Sequence, residues 1–243
     1  MNADVKTDSV SIKELKWDTD FFGVSCAKVI LYKSLLQEEW DIVKSSFDKY
    51  QFISIENKNS DSTNAQLIGR STLSFLADVN IQFLKKIEEQ NILPKDITIH
   101  IALEKNDYIL NLAVFQFSKF IEDPELLKRG GAQVYNNWLN SSFNKPDKYF
   151  ALHNDDHGKI DGFVLFNFRD DSCVIELIAV SKEKKKSGIG TALFNAVEYS
   201  AKEHGCNEIK VGTQARNIGA INFYHKCGCR QVGCHQIYHL WNT

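Results

Sequence analysis

The chain has 243 residues, 43% hydrophobic and 25% charged, with 29 lysines and arginines against 31 aspartates and glutamates. That balance excludes disorder of the whole, and a net charge of -2 excludes coating of nucleic acid by bulk positive charge, so an anionic ligand must be met by a local basic patch. No apolar run approaches the ~20 residues that cross a bilayer, and the opening MNADVKTDSVSIKELKW lacks the apolar centre of a signal peptide, so a cytoplasmic protein without a membrane or nucleic-acid partner is expected.

In chain order, apolar alternation predicts strands at 24–32, 52–56, 73–79 and 97–103, and helical spacing predicts helices at 35–50, 79–90 and 124–139. The polar stretch 140–147, with Pro146, is a seam that divides the chain into a mixed α/β unit, 1–144, and a second unit, 145–243. Beyond it the pattern predicts a meander of strands at 149–153, 160–168 and 173–180, with turns at 156–158 and 170–172. A helix begins near Gly188, since Ile189, Ala192, Leu193, Ala196, Val197 and Ser200 form one apolar face, and it ends at Gly205. A strand at 208–213, a helix capped by Asn217 and stopped at Gly228, and a strand at 230–241 complete the reading. Six cysteines are too few for a disulfide scaffold of this length. Cys227, Cys229, Cys234 and His235 invite a zinc reading, but their spacing matches no common finger or ribbon, and no metal is expected.

The chemistry concentrates in Val180-Ser181-Lys182-Glu183-Lys184-Lys185-Lys186-Ser187-Gly188-Ile189-Gly190-Thr191, a strand that runs through a glycine turn into a helix. Such a turn aims free N–H groups and the positive helix end at one point, and the lysines add attraction for a polyanion. Lys185, Lys186, Ser187, Gly188, Ile189, Gly190 and Thr191 are the candidate phosphate cradle; a solvated charged loop is the alternative. A P-loop is excluded because Thr191-Ala192 follows Gly190, and a dinucleotide fingerprint because Leu193 stands where a small residue is needed. Tyr224 is a candidate proton donor, since a phenol within reach can protonate a departing thiolate. Glu176, a carboxylate inside an apolar strand, is a candidate base or else half of an ion pair. Strict alternation would put Glu176, Ile178 and Val180 on one face and Ile175, Leu177 and Ala179 on the other.

The segment from Val180 to Gly190 resembles the pyrophosphate loop of the GCN5-related N-acetyltransferases, with Lys185 where the family usually has Arg or Gln. The run Asn217-Ile218-Gly219-Ala220-Ile221-Asn222-Phe223-Tyr224 is similar to the family's second signature. The resemblance implies a mixed α/β fold, with a central, mostly antiparallel sheet flanked by helices in the second unit, and acetyl-CoA or a longer acyl-CoA as co-substrate. It implies that Asn217 and Asn222 contact the cofactor arm, that Tyr224 lies near the thioester sulfur, and that a backbone N–H near Ile178 to Val180 meets the acyl oxygen. The segment Leu15-Lys16-Trp17-Asp18-Thr19-Asp20-Phe21-Phe22-Gly23 is similar to the branch that acetylates dTDP-linked amino sugars, and Tyr135 and Trp138 also look like that branch. This implies that Trp17, Phe22, Tyr135 and Trp138 help to bind a dTDP-linked amino-dideoxy sugar; core or interface packing is the alternative for the aromatics around Gly23. A protein or peptide acetyltransferase, a non-enzymatic acyl-CoA sensor and a homodimer all stay open.

Overall fold

The computed structural model describes residues 5–87, 92–155 and 157–242. The first half runs β1 (Val5–Lys6), β2 (Val10–Glu14), α1 (Lys16–Phe22), β3 (Cys26–Leu31), α2 (Gln37–Lys44), β4 (Phe52–Asn57), α3 (Ser62–Ser71), β5 (Phe75–Lys86) and β6 (Ile97–Ile101). Four short helices follow: α4 (Asp107–Leu112), α5 (Lys119–Glu122), α6 (Pro124–Lys128) and α7 (Val134–Ser142). The remainder is β7 (Tyr149–Asn154), β8 (Ile160–Arg169), β9 (Ser172–Val180), α8 (Ile189–Glu203), β10 (Glu208–Gln214), α9 (Ile218–Lys226) and β11 (Arg230–Trp241).

The described strands form one sheet in the order β1-β2-β3-β4-β11-β5-β10-β9-β8-β7-β6. Every pair is antiparallel except β3 with β4 and β9 with β10. The last strand of the chain lies between β4 and β5, so both halves of the sequence contribute to the same sheet. On one face, α8 buries Leu193, Phe194, Ala196 and Val197 against β5, β8, β9 and β10. On the other, α4 and α7 bury Ile109, Leu139 and Phe143 against Phe150, Phe163 and Leu165. Near the first strands, Trp40 and Val43 of α2 and Ile68 of α3 pack on Val29, Ile53 and Leu240, while Phe22 and Leu126 pack on the reverse side with Cys26 and Phe52. The mixed α/β architecture follows from strands whose two faces both carry apolar side chains and so need helices on each side.

Three expectations change. The helix at 79–90 is strand β5 over its described part, while Glu88 to Gln90 lie outside the described residues. β11 pairs with it on one side and β10 on the other, and this pairing satisfies its backbone while Ile81 and Phe83 alternate into the core. The helix at 124–139 breaks into α6 and α7 around Gly130 and Gly131. Gly130 takes a left-handed φ of 95°, and a side chain on Gly131 would lie 2.0 Å from the Phe120 carbonyl oxygen. Gly131→Ala is therefore expected to cost about 3 kcal/mol or more, read by chemical denaturation, because the obstacle is backbone and cannot turn aside. The helix at 35–50 shortens to α2, with a 3-10 turn at Phe47–Lys49. Of the expected turn at 156–158, Asp156 lies outside the described residues.

Candidate active site

Strands β9 and β10 begin as a parallel pair, but their ladder ends at Val174 with Lys210. Beyond that point β9 stays paired to β8 and β10 to β5, so the two diverge and leave the inner edge of each without a strand partner. A cavity of about 520 Å³ opens there, in the size range of small-molecule sites. Residues 176–180 of β9 and 212–214 of β10 line it, with Asn217, Ala220 and Tyr224 from one side of the sheet and residues 114–117 and Tyr135 from the other. The split is a passage through the sheet.

A β-bulge sets the side chains of β9. Leu165 faces Leu177 and Phe166 faces Ile175, so Glu176 is the extra residue. This overturns strict alternation: Ile175 enters the α8 core, while Leu177 and Ala179 join the α4 and α7 core. Glu176 also reaches α7. One carboxylate oxygen accepts from Lys148 and Asn167, the other from the Trp138 indole N–H at 3.0 Å. With both oxygens engaged by donors, Glu176 has the arrangement of an ion pair instead of a free base. Glu176→Ala would strand the mostly buried Lys148 ammonium and is expected to cost about 3–5 kcal/mol in a denaturant titration.

Tyr224 stands in the cavity wall on α9, 3% exposed, with its ring 5.4 Å from Phe83 and 5.3 Å from Phe223. Burial raises the pKa of its phenol well above the ordinary tyrosine value and keeps it protonated. At the start of α8, Gly188 is the N-cap with φ 95°, and no side chain caps the helix. The first intrahelical bond is Ala192 N–H to Gly188 C=O at 3.0 Å, so the N–H groups of Ile189, Gly190 and Thr191 have no carbonyl within the helix to meet. Lys186 also takes a left-handed φ, 66°, and the Ser187 hydroxyl donates to the Lys184 carbonyl at 2.6 Å, fixing the turn. Lys182, Lys184, Lys185 and Lys186 are exposed around it.

Of the residues singled out in the sequence, Glu176, Ile178, Val180, Lys185, Asn217, Tyr224 and Tyr135 line the cavity, and Trp138 joins through its bond to Glu176. Lys186 to Thr191 continue from Lys185 into α8. Asn217 spends its side-chain oxygen on the Ala220 N–H at 3.1 Å, and Asn222 is exposed on α9 outside the cavity wall. Phe22 is 3% exposed and packs with Val24, Cys26, Phe52 and Leu126, a core position; its neighbour Trp17 is 45% exposed and stacks on Phe21. Neither lines the cavity. Residues 114–117 and 212–214 line the cavity but carry no motif that marks a site in the sequence. Among the described residues no three metal-ligating side chains gather; Cys227 and Cys229 are buried, and His235 Nδ1 accepts from the Asn59 N–H at 3.1 Å. No described helix is long and apolar enough to cross a membrane.

A sheet split beside an uncapped, lysine-ringed helix start defines a class, and the chain belongs to it: the acetyltransferase (GNAT) family, whose model matches residues 107–229. It is similar to the spore coat polysaccharide biosynthesis protein SpsD of Bacillus subtilis, at 25% identity over 52% of this chain and 44% of that protein. It is also similar to streptothricin acetyltransferase A of the same organism, at 44% identity over 22% of this chain and 31% of that protein. The matches thus span less than half the length of these relatives. Among solved structures, a GCN5-related N-acetyltransferase from Sphaerobacter thermophilus superposes with a TM-score of 0.68 over 96% of this chain and 76% of that one, at 13% identity, a likeness of fold.

Proposed function

We propose that the chain is an acyl-CoA-dependent N-acyltransferase whose acceptor is the amine of a dTDP-linked amino-dideoxy sugar, a 3-amino- or 4-amino-6-deoxyhexose, in the cytoplasmic making of a surface polysaccharide. The observation that carries the reading is the split between β9 and β10, with a free helix N-terminus on one side and a buried phenol in its wall. The residues present fit acyl-CoA. Three uncommitted N–H groups and four lysines suit a pyrophosphate, and the unpaired edge of β9 suits an extended amide-bearing arm. Bound there, acyl-CoA supplies an activated carbonyl carbon to the amine.

In this reading Lys185, Lys186, Ser187 and the backbone from Gly188 to Thr191 hold the pyrophosphate. An open N–H between Ile178 and Val180 polarises the acyl oxygen. Asn217 and Asn222 flank the arm. As the C–N bond forms and the C–S bond breaks, the amine's proton passes to water and the Tyr224 hydroxyl protonates the sulfur. Glu176 positions Trp138 and Lys148 at the acceptor side, and residues 1–144 choose the acceptor. The polysaccharide assignment draws support from SpsD, whose name places it in spore coat polysaccharide synthesis. Mass spectrometry of reactions holding dTDP-linked amino sugars and basic peptides together tests the acceptor class: acylated sugar is the expected product, and acylated peptide alone would replace this reading with a peptide acetyltransferase.

A further inference from the structure

The sheet face near α1 and α5 carries charge that acyl transfer does not use. Lys28 on β3, Ser54 on β4 and His239 on β11 stand side by side there, because the ladders pair Lys28 with Ser54 and Ser54 with His239, and Glu56 follows two residues on. Asp78 joins from β5, on the face opposite Ile81, which points into the α8 core. Asp18 from α1 and Lys119 from α5 complete the group: burial and the nearby Lys28 ammonium lower the Lys119 pKa to about 8, and the carboxylates of Asp78, Glu56 and Asp18 act against them.

Part of this charge is already paired. Glu56 bridges to Lys28 at 2.6 Å and to Lys58, and although burial raises its pKa, those two ammonium groups outweigh burial and hold it at about 2. The rest is not. Among the described residues Asp18, Asp78 and Lys119 make no ion pair, and the buried Ser54 hydroxyl and His239 Nε2 have no hydrogen-bond partner. His239 Nδ1 is already committed to Asp123 at 2.7 Å. Buried polar groups are as a rule partnered, and a face that leaves two of them orphaned beside three half-buried, unpaired charges is one where a ligand can meet Asp18, Asp78 and Lys119.

The face adjoins the cavity wall, although none of its charged residues lines the cavity itself. Ala215 N–H donates to the Val79 carbonyl at 2.7 Å, which brings Asp78 beside the cavity-lining end of β10. Ser118, whose hydroxyl caps α5, links Lys119 to residues 114–117 of the cavity wall, and Tyr135 interacts with both Ser118 and Gln214. With Asp123 counted beside His239, the carboxylates of Asp18, Glu56, Asp78 and Asp123 outnumber the ammonium groups of Lys28, Lys58 and Lys119, which disfavours a polyphosphate here. Hydroxyls, which donate to carboxylates and accept from an ammonium, match it.

We propose that this face holds the sugar ring of the acceptor: a polyhydroxylated amine lies across it with its hydroxyls between Asp78, Asp18 and Lys119 and its amine turned toward the split between β9 and β10. The inference rests on the transferase reading for the fate of the amine, and adds which residues recognise the ring.

Isothermal titration separates the two. dTDP-4-amino-4,6-dideoxyglucose, dTDP alone and acetyl-CoA are titrated into the wild type, Asp78→Asn and Lys119→Met, with circular dichroism as the folding control. Each variant is expected to raise the amino-sugar Kd about 10-fold or more, the loss of one charge-assisted bond, with the Kd for dTDP and acetyl-CoA unchanged. The inference is overturned if both folded variants bind the amino sugar as the wild type does, if dTDP alone weakens equally, or if the wild type binds no amino sugar. A wild type that binds the amino sugar but not acetyl-CoA would overturn the transferase reading while the variants still decide this one.

Discussion

Tyr224→Phe is expected to lower kcat by about 100-fold or more while leaving the melting temperature and the KM for acyl-CoA close to their original values. The hydroxyl has no hydrogen-bond partner among the described residues, although the side chain around it is buried. Phenylalanine keeps the ring contacts with Phe83 and Phe223, and removal of an unpartnered hydroxyl in a cavity wall changes stability by only about 1 kcal/mol in either direction. The phenol is therefore poorly explained as a packing device. Because burial lifts its pKa, it stays protonated through the neutral and mildly alkaline range, so the alkaline limb of the kcat profile should not report its ionisation. Steady-state kinetics beside a thermal melt check this: kcat unchanged at every pH would remove Tyr224 from the proton path.

Gly188→Val is expected to weaken acyl-CoA binding about 10-fold or more, the equivalent of at least 1.4 kcal/mol. A φ of 95° is open to glycine and strongly disfavoured for a β-branched residue, so the turn must move, and the N–H groups of Ile189, Gly190 and Thr191 lose their common aim. The helix itself should persist, because Leu193, Phe194, Ala196 and Val197 anchor it in the core. Titration calorimetry with CoA measures the effect. Binding by the wild type should also weaken with added salt, as the four exposed lysines of the loop act over distances that ions screen. Equal affinity in Gly188→Val would show that the pyrophosphate docks elsewhere.

What was readable in the sequence was what is local. The start of α8 follows from glycines and an apolar stripe within one segment, and the Asn217 cap is written into the residues it bonds. Local spacing predicts a helix over most of strand β5 because its partner β11 lies at the far end of the chain, and no local pattern reveals that pairing. The bulge at Glu176 was equally hidden: whether β9 has one residue more than β8 between two paired positions is a property of register, and it decides that Glu176 meets Trp138, Lys148 and Asn167. Phe22 and Trp17 sit on one helix, yet α1 buries the first in the core and leaves the second exposed, a distinction made by the docking of α1 on β3. Asp78 and Lys119 gave no sequence signal because they come together only when β5 and α5 pack.

The central claim is transfer of an acyl group from acyl-CoA to an amine, and the most direct measurement is release of free thiol from acetyl-CoA in the presence of dTDP- and UDP-linked 3-amino and 4-amino deoxysugars. The account predicts thiol release that depends on the acceptor, matches acylated sugar mole for mole, and falls sharply in Tyr224→Phe. Tight binding of acetyl-CoA with no thiol released above the uncatalysed rate for any amine would contradict it and leave an acyl-CoA sensor.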